Sequence, residues 1–153
     1  MSSFTTESPG ETLARGEAFA EGLRGGDVVA LTGELGSGKT LFVRGVCRGL
    51  GVGAEVTSPT FTLVHEYRGE DLRVIHADLY RLEGEKEAAE LGLEEYFAPD
   101  CVCLIEWAEK AHRLLPPGHY RVRIRHGERE DVRVFAVERI GGPPNEPPGV
   151  RAV

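Results

Sequence analysis

The chain contains no glutamine, and its only asparagine and methionine are Asn145 and Met1. Lysine is almost as scarce, at Lys39, Lys86 and Lys110, so arginine carries most of the positive charge. So few thermolabile side chains suit a protein from a hot environment. A GC-rich genome gives the same arginine bias, and melting below about 60 °C, ordinary for mesophile domains, would count against the thermal reading. The three cysteines, Cys47, Cys101 and Cys103, are odd in number and lack spaced ligand partners, which argues against a disulfide framework and a zinc site. No apolar stretch is long enough to span a membrane, and Met1 to Glu7 lack the basic-then-apolar pattern of an export signal. A cytoplasmic protein with no membrane partner is expected. An excess of positive charge is missing too. Eighteen basic residues against 25 acidic ones leave a net charge of −7, which argues against DNA binding and against a general nucleic-acid surface. What remains is a 153-residue chain with 41% hydrophobic and 28% charged residues, enough for one soluble domain with a real core.

Ser8-Pro9-Gly10-Glu11 reads as a helix start. Ser8 can cap, Pro9 fits the first helical position, and Glu11 can reach back. Leu13, Gly16, Ala20 and Leu23 give that helix one small apolar face, and Gly25-Gly26 stops it. Asp27 to Thr32 is almost wholly apolar, the sign of a buried central strand. A second helix is expected from Gly38, with Phe42, Val46 and Leu50 on one face. Thr60–Tyr67 and Leu72–Asp78 read as one hairpin, and Tyr120–Arg125 and Asp131–Val137 as another. Between them lie a helical segment, Glu85 to Leu91, and a buried strand, Val102 to Glu106. The sum is an α/β fold with a mixed sheet flanked by helices, parallel strands around the first helix crossing and antiparallel hairpins elsewhere. It forms a single domain over residues 1–140, followed by a Pro/Gly-rich tail over 141–153.

The strongest motif is Gly33-Glu34-Leu35-Gly36-Ser37-Gly38-Lys39-Thr40, which satisfies the Walker A pattern G-x-x-x-x-G-K-[ST] between a buried strand and a helix. Gly33, Gly36 and Gly38 let the backbone curl so that successive N–H groups, from Leu35 and Ser37 onward, face an anion. Lys39 is then expected to bridge the β- and γ-phosphates of ATP, and the Thr40 hydroxyl to bind Mg²⁺. A second acid is needed at the end of a neighbouring strand. Glu106 ends Val102-Cys103-Leu104-Ile105, and Asp78 ends Val74-Ile75-His76-Ala77. Strand-end acids in such sheets face the ligand crevice, so either can hold the metal while the other orients the attacking water.

The only asparagine lies in the tail, so the Asn-Lys-x-Asp guanine reader is absent. The segment between Tyr80 and Glu106 is too short and too acidic for the arginine-rich lid of a small-molecule kinase. ATP hydrolysis coupled to another event is the better reading. Thr57, Ser58 and Thr60 set hydroxyls around Pro59 behind a glycine-rich loop, a composition suited to ordering on a γ-phosphate. His76 shares a strand face with Asp78, either as a core histidine or as part of the site. Trp107 is read as a core anchor of the crevice, with partner contact as the alternative. Tyr80 and Arg81 reach either the nucleotide, a partner or solvent. Arg121, Arg123 and Arg125 form the one concentrated basic stripe, expected to be solvated and neutralised by Glu128, Glu130 and Asp131, with contact to tRNA or an acidic partner surface as the alternative.

Four segments occur in a telling order: Gly33 to Thr40, Ser58-Pro59-Thr60-Phe61-Thr62-Leu63-Val64, His76-Ala77-Asp78-Leu79-Tyr80-Arg81-Leu82 and Ile105-Glu106-Trp107. In these the chain resembles the TsaE (YjeE) family, small bacterial ATPases needed for threonylcarbamoyladenosine formation on tRNA. The resemblance runs from the first helix to Leu115-Pro116. It implies a P-loop fold, ATP and Mg²⁺ as ligands, and TsaD and TsaB as protein partners, with tRNA reached through that complex. It implies that Thr40 and Glu106 hold the metal, that Asp78 is an acid needed for hydrolysis, and that Ser58-Pro59-Thr60 forms a switch-like segment. Two alternatives stay open: an ATP-controlled assembly module without functional turnover, and a small-molecule kinase.

Overall fold

A computed structural model describes residues 2–34, 36–59 and 63–141. Its centre is a seven-stranded sheet in the order β1-β7-β6-β2-β5-β4-β3. The strands are β1 (Ser2–Thr6), β2 (Val28–Gly33), β3 (Val64–Arg68), β4 (Arg73–Asp78), β5 (Cys101–Glu106), β6 (His119–His126) and β7 (Arg133–Ile140). β6, β2, β5 and β4 run parallel, while β3, β7 and β1 add antiparallel edges. Both expected hairpins, β3–β4 and β6–β7, are present, and the second is longer than the sequence pattern suggests.

The parallel strands are continuous apolar runs because both sheet faces are covered. Val29 and Leu31 of β2 join Val102 and Leu104 of β5 beneath the helices α1 (Pro9–Ala20) and α2 (Lys39–Gly49). Val28, Ala30, Cys101, Cys103 and Ile105 form the core of the other face. That face is covered by α3 (Glu85–Glu90) and by 3-10 segments at Leu93–Tyr96 and Ala108–Leu114. All three cysteines are free and buried, and burial pushes the Cys47 and Cys103 thiols up to about 12.

Ser8 caps α1 by accepting from Glu11 N–H at 3.2 Å, while the Glu11 carboxylate reaches the Glu7 N–H, also at 3.2 Å. α1 and α2 touch backbone to backbone through glycine: a Cβ on Gly45 would sit 2.3 Å from the Leu13 carbonyl oxygen. Phe19, Phe42 and Phe135 fill the space beneath, with Phe4 of β1 stacked on Phe135 at 4.7 Å.

Three expectations need correction. β1 is a strand that the polar run Ser2-Ser3-Phe4-Thr5-Thr6 conceals, because only Phe4 offers a large apolar side chain and β7 supplies the rest of the pairing. The partner of the basic stripe is Glu138 on the adjacent strand β7, which takes ion pairs from Arg121 and Arg123. It lies directly opposite Arg121 in register, closer than the turn acids Glu128, Glu130 and Asp131. The helical segment after Gly84 ends at Glu90, one residue before Leu91, and the left-handed Gly92, at φ 72°, separates it from a 3-10 turn that runs on to Tyr96. Leu35, Thr60 and the tail beyond Gly141 lie outside the described residues. Among the described residues no helix is long and apolar enough to cross a membrane.

Candidate functional site at the carboxyl edge of the parallel strands

β2, β4 and β5 end at one edge of the sheet with Gly33, Asp78 and Glu106, and Asp78 lies opposite Glu106 in register. The loop after β2 turns back through glycine at positive φ: 152° at Gly33, 76° at Gly36 and 105° at Gly38. Gly33 has no room for a side chain, since a Cβ would lie 2.3 Å from the Ile124 carbonyl oxygen. α2 starts immediately beyond, so the N–H groups of its first turn have no acceptors within the helix. Lys39 is buried, and its Nζ donates to the carbonyls of Gly33 at 2.6 Å and Glu34 at 2.9 Å. Nζ also lies 4.3 Å from the centre of the Trp107 ring. Burial holds its pKa below the ordinary lysine value, although Glu106, Glu109, Asp78 and Glu34 pull the other way. From outside, Arg133 of β7 donates to the Ser37 carbonyl at 3.0 Å and to that of Gly36 at 3.4 Å. Nothing local in the sequence marks Arg133, because the contact spans 96 residues.

The acids form a connected set. The Thr40 hydroxyl lies 3.0 Å from both oxygens of the Glu106 carboxylate. Glu106 Oε2 is 2.5 Å from Nε2 of His76, a fully buried side chain. Asp78 accepts from the Tyr80 N–H at 3.0 Å and from the Ser58 hydroxyl at 3.3 Å. Burial raises the Asp78 pKa; the Tyr80 N–H opposes that, the Glu106 charge adds to it, and the Ser58 hydroxyl opposes it more weakly. Trp107 and Leu63, which both line the crevice with these acids, are the non-glycine residues with positive φ among the described residues, at 57° and 64°. Backbone held in that region costs about 1–3 kcal/mol and concentrates at functional sites. The Leu63 carbonyl accepts from Asp78 N–H at 2.9 Å, which ties that wall to the strand end.

A crevice of about 470 Å³ opens between these groups. Of the residues expected at the site, it is lined by Gly36, Gly38, Lys39, Thr40, Ser58, Pro59, Asp78, Tyr80, Arg81, Glu106 and Trp107. Gly33, Ser37 and His76 stand behind this lining, while Leu35 and Thr60 lie outside the described residues. Leu41 joins the lining without any motif to announce it, and Leu63 joins it from the Ser58 to Val64 segment. Trp107 is partly buried against the core and also lines the crevice, so its core role and its site role coincide.

Among the described residues, no cluster of three or more His, Cys, Asp or Glu could hold a metal by itself. The donors do suit Mg²⁺, which takes hard oxygen ligands and keeps several waters and phosphate oxygens. Thr40 Oγ1 and Glu106 Oε1 are 3.0 Å apart, close to the ~2.9 Å between adjacent ligands of an octahedral shell at 2.0–2.1 Å.

A parallel strand, a glycine loop with a buried lysine and a helix opening on Lys39-Thr40, set beside strand-end acids, define a P-loop α/β protein. The model of the family "Threonylcarbamoyl adenosine biosynthesis protein TsaE" matches residues 6–135. The chain belongs to the TsaE family. It is 43% identical to the tRNA threonylcarbamoyladenosine biosynthesis protein TsaE of Bacillus subtilis over 136 residues, covering 89% of this chain and 84% of the relative. Against the Haemophilus influenzae protein of the same name, identity is 38% over 149 residues, covering 92% and 94%. The crystal structure of Bacillus subtilis YdiB superposes with a TM-score of 0.77 at 35% identity, covering 92% of this chain and 86% of that one.

Proposed function

We propose that this protein is a cytoplasmic, Mg²⁺-dependent ATPase that serves tRNA threonylcarbamoyladenosine biosynthesis by acting on the TsaB–TsaD pair, with tRNA reached only through that complex. The observation that carries the reading is the meeting of Lys39, Thr40, Glu106 and Asp78 in one crevice of a TsaE-family chain.

The loop N–H groups and the start of α2 hold the β-phosphate of ATP, and Lys39 spans the β- and γ-phosphates. Thr40 and Glu106 would hold Mg²⁺, directly or through water, and the ion when bound would offset phosphate charge. Glu106 is already engaged by Thr40 and His76. Asp78 is therefore the acid that orients water, and burial makes it a stronger base than an ordinary aspartate. The water oxygen bonds to the γ-phosphorus as the bond to the β–γ bridging oxygen breaks. Asp78 takes the water proton, and ADP and phosphate leave. Ser58, bonded to Asp78, links this step to the segment before β3 and so to whatever docks there.

Turnover by the isolated protein is expected to be slow, because the γ-phosphate charge is incompletely compensated. A supplied arginine is worth about 10³–10⁵ in rate in such proteins. The test is Mg²⁺-dependent ATP turnover, alone and with TsaB and TsaD, with Lys39→Ala as control. Low turnover that rises with the pair supports the proposal. Tight ATP binding with turnover unchanged by the pair overturns it, and mass-detected phosphate on a small acceptor would establish a kinase instead.

A further inference from the structure

His76 is fully buried, yet of its two ring nitrogens only Nε2 has a partner among the described residues, and Nδ1 has none there. A carboxylate oxygen accepts, so Nε2 donates its N–H to Glu106, and Nδ1 is left unmatched among the described residues. An unmatched buried polar atom destabilises the fold, and an apolar side chain between Val74 and Leu104 would avoid that cost. The bond to Glu106 is what the imidazole adds. It also makes the two Glu106 oxygens unequal: both lie 3.0 Å from the Thr40 hydroxyl, but Oε2 takes the ring N–H as well, while Oε1 has no further partner among the described residues.

We propose that His76 is a positioning residue, whose Nε2–H holds Glu106 Oε2 against the sheet and so keeps Oε1 beside the Thr40 hydroxyl, turned toward the crevice. The inference rests on the reading of Thr40 and Glu106 as the Mg²⁺ ligands. Without His76 the buried carboxylate swings among rotamers, and the pair of oxygens offered to the metal is no longer preformed. Outer partners of metal ligands commonly change metal affinity 10–100-fold when removed.

The test is calorimetric titration of the intact protein with ATP, in Mg²⁺ and in EDTA, with a melting curve for each variant. The ratio of the two dissociation constants reads the metal-dependent part of binding without any turnover. His76→Leu is expected to reduce that ratio about 10–100-fold and to leave the EDTA value near that of the parent. His76→Gln places an N–H close to the original Nε2 and should restore the ratio. His76→Asn, whose amide ends nearer the ring's Nδ1, should not. If His76→Leu fails to fold, the Gln and Asn variants decide the matter between them. A folded Leu or Asn variant that keeps the parent ratio overturns the inference, as does a Gln variant that falls with Asn. A parent protein whose ATP affinity ignores Mg²⁺ instead overturns the metal reading itself, and this inference with it.

Discussion

The two walls of the crevice are built differently. One wall is β2, the glycine loop and α2, held by main-chain packing: Gly45 against the Leu13 carbonyl, Gly33 against the Ile124 carbonyl, and Arg133 on the loop carbonyls. The other wall runs through Val56 to Pro59, Leu63, Tyr80 and Trp107. Its segment before β3 is tied by single contacts: Arg44 to the Val56 carbonyl, Thr57 N–H to the Tyr67 hydroxyl, and Ser58 to Asp78. That wall also carries the two strained non-glycine residues and the exposed ring of Tyr80. The first wall is fit to bind and the second to respond. Binding is thus a property of a rigid local motif, and response a property of scattered weak contacts.

Substitutions can break or sharpen this contrast. Lys39→Ala on the rigid wall should have the largest effect, lowering kcat/KM for ATP by about 10²–10³ with an unchanged melting temperature beyond the loss of its own contacts. Asp78→Asn on the responsive wall should lower turnover by about 10²-fold or more while raising the melting temperature at neutral pH. Burial raises the carboxyl pKa, so the fold holds the proton more tightly than the unfolded chain does. Stability from this group therefore falls as pH rises from the unfolded pKa through the raised folded one. The advantage of Asn over Asp should shrink on acidification, which melting curves across pH will show.

Gly45→Ala should destabilise the fold by about 1–3 kcal/mol through overpacking of the α1–α2 contact, read by chemical denaturation. Ser58→Ala should have the smallest effect, about 0.5–1.5 kcal/mol at the transition state, or roughly tenfold at most in turnover. It should also move the acid limb of the rate profile upward, because the Ser58 hydroxyl lowers the Asp78 pKa. Equal effects of Gly45→Ala and Ser58→Ala on stability would erase the distinction between the walls.

The rigid wall was legible in the sequence because its signals are local. The Ser8 cap, the apolar run of β2 and the spacing from Gly33 to Thr40 each occupy a few consecutive residues. Asp78 and Glu106 were legible as strand ends, and the strand order brings them together. The bond between His76 and Glu106 was not, since it needs β4 beside β5, and sequence alone does not state that adjacency. Arg133 was invisible for the same reason at greater range. β1 escaped notice because a short edge strand needs little hydrophobic alternation when its partner supplies the hydrogen bonds. Trp107 carried a clear motif, but its left-handed backbone is set by tertiary contacts.

The pairing of β1 with β7 joins residues from opposite ends of the fold, Ser2 with Val137 and Thr6 with Arg133. During synthesis β1 emerges long before the strand it pairs with, and the same strand β7 carries the arginine that braces the glycine loop. Until β7 arrives, Phe4 has no Phe135 to stack on and the loop lacks its outer support. Closure of so long a contact is slow and comes late. The glycine loop can therefore reach its final shape only when translation of the fold is nearly finished, so a nascent chain stalled before β7 should capture little ATP.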